Sequence, residues 1–221
     1  MVKPSDVTIQ PNQDSSEQRI LASAREEFIE RGLRGARMQS IADRADVNKA
    51  LVHYYFRSKD KLYDAVLQDT METIVGALRR ELPPDAGETD LRSLLRKIVT
   101  VYIMTFQKNP NFPRFIIREL ADGGTRLPRL IDAGILTAGA FPVRIHRLLL
   151  DGMQNGTIRP VNSVHFLLNL LGMCVFTFIA RPILTLVNER APIGIVFDDA
   201  FFRDRVESIV DMACGIFRER S

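Results

Sequence analysis

Apolar residues recur at helical spacing along most of the chain, and glycine, proline or capping residues close each periodic stretch. Ile20, Leu21, Ala24, Phe28 and Ile29 share one face of a first helix starting at Ser16, while Glu17, Arg19, Arg25, Glu26 and Glu30 fill the other; Gly32 ends it. A short pattern over residues 38–45 places Ile41, Ala42 and Ala45 together, and Asp46 and Val47 make a turn. Asn48 is a good N-cap for a third helix over residues 49–56, since its side-chain oxygen can accept from an otherwise orphan backbone N–H. A longer helix follows from Ser58 to about Leu82 and is stopped by Pro83, Pro84 and Gly87.

Beyond that break the period stays helical, with no convincing strand. Helices are expected over residues 91–107, 112–121 (ended by Gly123 and Gly124), 128–154 with Pro142 kinking or splitting it near Gly139, 161–187 and 199–218. The fold class is therefore all-α, with about nine helices. Three segments are expected: a loose arm over residues 1–15, a small helical domain over 16–60 and a larger helical domain over 61–221. Residues 164–187 approach the apolarity of a membrane span, but His165, Asn169, Arg181 and Pro182 interrupt them, and the uncharged part is shorter than the roughly 20 residues required. Burial between protein surfaces explains that stretch better than a membrane.

Composition narrows the class without naming it. A chain of 221 residues that is 46% hydrophobic and 26% charged has the make-up of a folded globular protein rather than a disordered or fibrous one. The net charge of +3 permits contact with nucleic acid but does not demand it. Cys174 and Cys214 lie far apart within apolar helical patterns, which reads as two buried small side chains and not as a disulfide or zinc framework. His53, His146 and His165 are also scattered, so no metal is expected, and no cofactor. Residues 1–16 lack the apolar core of a secretory signal, and a cytoplasmic location is the expectation.

Two short helices joined by a tight turn have the geometry of a helix-turn-helix. At about 100° per residue, Val52, Tyr55 and Phe56 lie on one arc of the third helix, facing Ile41 and Ala45. Ala50, His53, Tyr54 and Arg57 lie on the opposite arc, with Lys49 at its margin. Lys49, small Ala50 and His53 can approach base edges, with Tyr54 and Lys59 placed for phosphates and Arg37 and Gln39 at the start of the second helix. Lys59 and Lys61 also read as solvated charges at a helix start.

The stretch IADRADVNKALVHYYFRSKDKLYDAV resembles the signature of TetR/AcrR-family regulators, usually I-A-x-x-A-G-V-S-x-G-x-L-Y-x-Y-F-x-S-K-x-x-L. The likeness covers residues 20–67, and the G-x-I-R-P phrase at Gly156 to Pro160 extends it weakly. It implies base or phosphate contacts at Gln39, Asn48, Lys49, Ala50, His53, Tyr54 and Lys59. Departures from the family's usual residues include Ala36 for a threonine before the second helix, Asp46 for the turn glycine, Ala50 for a second glycine and His53 for a tyrosine. Double-stranded operator DNA, a second copy of the chain and an apolar small-molecule effector are the partners implied, with release from a palindromic operator as the expected action.

Phe106, Phe115, Phe178 and other aromatic and methionine side chains between residues 102 and 178 are more than a tight aliphatic bundle needs, and read together as an adaptable pocket. Tyr102, Phe106, Phe115, His146 and Phe178 are the candidate effector contacts, with His146 meeting a polar group. For any single one, ordinary core packing is the simpler reading. Leu167, Leu168, Leu171, Val175, Phe178 and Ile179, with Phe202, Val206, Ile209, Val210, Ala213 and Phe217, are the expected dimer face. No Gly-rich phosphate loop, G-x-S-x-G or H-E-x-x-H occurs, so an enzyme is not expected. The remaining alternative is a ligand-independent DNA-binding protein with the same helix-turn-helix.

Overall fold

The computed structural model describes residues 13–83, 90–128, 141–191 and 193–217. These form ten helices: α1 (Gln13–Gly35), α2 (Met38–Arg44), α3 (Lys49–Phe56), α4 (Lys59–Glu81), α5 (Leu91–Lys108), α6 (Asn111–Ala121), α7 (Phe141–Gln154), α8 (Ser163–Ile179), α9 (Arg181–Arg190) and α10 (Asp199–Cys214). Among the described residues the one β feature is an isolated antiparallel bridge between Ile158 and Phe217. The fold is all-α, as the periodicity predicts. The expected arm lies outside the described residues except for its last three, which open α1. α1 departs from helical geometry at Gly32, whose φ of 65° and ψ of 172° explain the break expected there.

The chain divides into two compact units, with the division inside α4 between Asp69 and Thr70. In the N-terminal unit Ile20, Ala24, Phe28, Ile41, Val52, Leu62 and Val66 are fully buried, and Phe28 meets Tyr63 edge to face at 4.8 Å between ring centroids. Arg25, expected on the polar side of α1, is buried instead and pairs with Asp69 at 2.6 Å. It lies one turn from Leu21 and so borders the apolar stripe. Burial lowers its pKa, and the Asp69 carboxylate opposes that shift.

In the C-terminal unit α5 is the central helix, packed against α6, α7, α8 and α10. Its apolar residues accordingly fall on more than one side, from Leu91 and Leu94 through Ile98, Val99 and Ile103 to Phe106. Asp90 caps it by accepting from the N–H groups of Arg92 and Ser93. The single apolar helix expected over residues 161–187 is two helices, α8 and α9, bent by 54° at the break. Pro182 is the cause: it has no N–H to give to the Phe178 carbonyl, and it fits the first turn of a new helix. Among the described residues no single helix is long and apolar enough to cross a membrane.

The last helix also stops earlier than its pattern, at Cys214. Phe217, expected on its apolar face, lies beyond it in the bridge to Ile158, and the Arg159 N–H donates to the Ile216 carbonyl at 3.0 Å. The segment over residues 156–160 thus ties α7 to the end of the chain's described part. Cys174 and Cys214 are both buried and unbridged, and burial pushes the Cys174 thiol up to about 12.

Candidate nucleic-acid interface

The site is assembled around the turn between α2 and α3. Ala45 and Val47 donate to the carbonyls of Ile41 and Ala42 at 3.0 Å each, and Asp46 takes a φ of 54°. Aspartate tolerates the left-handed region better than most residues, which is how this turn forms without the glycine of the family pattern. Asn48 then caps α3 as expected: its Oδ1 accepts from the Leu51 N–H at 2.7 Å.

Burial separates the two arcs of α3. Val52 and Phe56 are buried and Tyr55 is half-buried, whereas Lys49, Ala50, His53 and Arg57 are exposed and Tyr54 is 64% exposed. Tyr54 is braced from one side, edge to face with Tyr55 at 5.6 Å. An exposed row of lysine, histidine and tyrosine after a capped turn offers donors to bases and phosphates without breaking any core contact.

Three other expected contacts are already engaged within the chain. Lys59 Nζ donates to the carbonyls of Arg34 and Ala36, both at 3.0 Å, so it closes the end of α1 and keeps one N–H for a phosphate. The exposed Gln39 amide donates to Asp43 at 2.7 Å. At the start of α2, the Arg37 side chain is exposed but its backbone N–H donates to Glu27 Oε1 at 3.2 Å. Arg37 is the N-cap residue of α2 and caps it with no side-chain hydrogen bond, so the buried Glu27 carboxylate from α1 satisfies the backbone N–H at that helix start.

Glu27 and Arg44 have no place in the sequence reading, yet they position α2. Glu27 is fully buried on the apolar face of α1, seven residues after Ile20, and that spacing was the signal available. Arg44 pairs with Glu26 at 3.1 Å and Glu30 at 2.9 Å, and reaches Glu27 Oε2 at 3.6 Å. The hydrogen bond to Glu30 holds the Arg44 pKa above its ordinary value.

In the C-terminal unit the candidate effector residues part company. Tyr102, Phe106 and Phe178 form one run of rings: Tyr102 and Phe106 at 5.6 Å, Phe106 and Phe178 at 5.6 Å, then Phe178 stacked on Phe202 at 5.4 Å. Burial raises the Tyr102 hydroxyl pKa, so it stays a neutral donor. Phe115 is fully buried on α6, while His146 is exposed on α7 because the buried face there runs through Phe141, Ile145 and Leu149. Among the described residues no group of three or more His, Cys, Asp or Glu could hold a metal ion.

An all-helical chain that presents an exposed basic and aromatic recognition helix after a capped turn is a helix-turn-helix DNA-binding protein. Comparison with known proteins makes this specific. Residues 20–66 match the family described as bacterial regulatory proteins, tetR family, and residues 88–217 match the tetracyclin repressor-like C-terminal domain. The chain belongs to the TetR family of DNA-binding transcriptional regulators.

Among its relatives, the transcriptional activator FasR of Mycolicibacterium smegmatis is 38% identical over 89 residues, 40% of this chain and 39% of FasR. The transcriptional regulator RutR of Escherichia coli is 25% identical over 151 residues, 67% of this chain and 66% of RutR. The chain thus spans less than two thirds of either relative. The structure of SCO4942 from Streptomyces coelicolor is similar in fold, with a TM-score of 0.63 at 21% identity, covering 93% of this chain and 99% of that one.

Proposed function

We propose that this protein is a repressor that binds a palindromic operator as a homodimer and is released by an apolar small molecule entering the C-terminal unit. The observation that carries the reading is the exposed row of Lys49, His53 and Tyr54 on a recognition helix whose opposite arc is buried. α4 begins three residues after α3 and runs unbroken into the C-terminal unit, so a ligand that displaces it acts on the spacing of two recognition helices. The run of Tyr102, Phe106 and Phe178 is the apolar wall for the effector, and the Tyr102 hydroxyl supplies the polar contact for which exposed His146 is badly placed. Ligand and operator must then weaken each other by the same factor.

A fluorescence titration with operator DNA tests the DNA face. Lys49→Ala is expected to weaken binding by about 1–3 kcal/mol if Lys49 reads a base, or to weaken all sequences alike if it meets a phosphate, with a steep loss of affinity as salt rises. Unchanged affinity in both Lys49→Ala and Tyr54→Ala would remove the assignment. Calorimetry with and without saturating operator tests the switch: equal ligand affinity in the two would leave a DNA-binding protein without ligand control.

A further inference from the structure

Arg57 joins the recognition helix to α4 through a turn whose backbone suits glycine. Its φ of 60° and ψ of −44° lie outside the helical region, and the Ser58 N–H donates to the Phe56 carbonyl at 2.6 Å. A bond between residues two apart, closed around a positive φ, is a γ-turn of the rare and strained kind. Asp46, the other non-glycine residue with positive φ among the described residues, is of a type that tolerates the left-handed region through local hydrogen bonding; arginine is not.

Both ends of this turn are held. Phe56 is buried, Ser58 Oγ accepts from the Lys61 N–H at 3.3 Å, and Lys59 is tied to the end of α1. The arginine side chain adds no contact to the fold: it is exposed, and among the described residues its guanidinium makes no hydrogen bond or ion pair. The dipole at the end of α3 favours a cation there, but the start of α4, two residues on, opposes one. A solvated surface arginine accounts for the exposure and not for the strain, which glycine would relieve.

The exposed row on α3 runs on into this residue. The Arg57 N–H donates to the His53 carbonyl at 3.0 Å, and Arg57 follows His53 by four residues and Tyr54 by three, the spacing of one helix face. From Ala50 to Arg57 is about 10 Å at 1.5 Å per residue, against a major groove about 12 Å wide. A recognition helix reads bases with its N-terminal residues, which leaves a cation at its far end beside the sugar-phosphate wall. We propose that Arg57 is a further DNA contact, its guanidinium donating to a backbone phosphate where α3 leaves the groove. This rests on the DNA face assigned to Lys49, His53 and Tyr54 and adds a contact at its other end.

Fluorescence anisotropy of the full chain with a labelled duplex of mixed sequence tests it, because a phosphate contact acts on any sequence. Arg57→Gly is expected to bind about eightfold more weakly at about 0.1 M salt and to lower the slope of log affinity against log salt by about 0.9, one phosphate contact fewer. Its melting temperature should hold or rise as the strain is relieved. Arg57→Lys should keep the slope, and Arg203→Gln, which removes the same charge from an exposed position on α10, should leave binding unchanged. A wild-type slope in Arg57→Gly, or a loss no greater than that in Arg203→Gln, would overturn the inference; so would a lower melting temperature in Arg57→Gly, which would remove the strain. Lys49→Ala in the same titration keeps two failures apart. If it weakens binding and Arg57→Gly does not, the DNA face stands and Arg57 is a solvated side chain; if Arg57→Gly alone weakens binding, the inference stands and the Lys49 assignment falls.

Discussion

Gly152 is buried at the end of α7 because Ile158 fills the place its side chain would take. A Cβ there would lie 2.7 Å from Ile158 Cγ1 and closer still to Cδ1. Ile158 cannot easily yield, being 2% exposed and tied to the chain's last described residues through the bridge to Phe217. Gly152→Ala should therefore destabilise the C-terminal unit by about 1–3 kcal/mol, the usual cost of overpacking, seen as an earlier transition in denaturant melts. An unchanged midpoint would mean that the contact relaxes freely. Nothing in the local pattern marks Gly152, since the clash comes from a residue that returns to it through a turn. Asn48 is the opposite case: its bond to the Leu51 N–H closes over three residues, so the sequence shows it.

At the scale of elements, α3 depends on that cap and on the turn before it. Asn48→Ala should cost the N-terminal unit about 1 kcal/mol in chemical denaturation. Asn48→Asp keeps an acceptor for the same N–H and so should keep stability, while its negative charge should weaken operator binding. If the aspartate variant lost stability as the alanine does, the cap would not be the reason for asparagine here. Most helices follow their hydrophobic period to within a few residues, because period, caps and breakers are local. α8 and α9 do not, because apolar composition alone cannot distinguish one bent helix from two; the proline decides. Lys59 likewise reads as a phosphate contact alone until α1 is folded, when the carbonyls of Arg34 and Ala36, each at 3.0 Å, take two of its N–H groups and leave one.

For the whole molecule, we propose that the apolar surface left exposed on α8 and α10 receives a second copy. Of the expected dimer face, Phe178, Phe202, Val206, Ile209, Val210 and Ala213 are consumed by the chain's own core. Leu168 is 61% exposed, and Val164, Phe176 and Met212, which that expectation omitted, are 63%, 66% and 66% exposed. Leu168, Phe176 and Met212 also line a concavity of about 600 Å³ between α8 and α10. A homodimer through this face should sediment as such at micromolar concentration, and Phe176→Glu should yield a folded monomer, since the side chain adds little to the core of one chain. A wild-type monomer, or an unaffected dimer in the variant, would reject this face. A lone monomer should also lose the preference for paired half-sites.

Local spacing along the chain was enough for the helical class, the capped turn, the exposed arc of α3 and the family, because each depends on residues within a turn or two of helix. Packing between distant segments settles which apolar residues stay exposed, that Glu27 meets the Arg37 N–H at the start of α2, that Arg25 is buried against Asp69, and that Tyr102 joins the ring cluster while His146 does not. Those outcomes rest on groups far apart in the chain, 44 residues for Arg25 and Asp69, and a helical period states which face is apolar without stating what covers it.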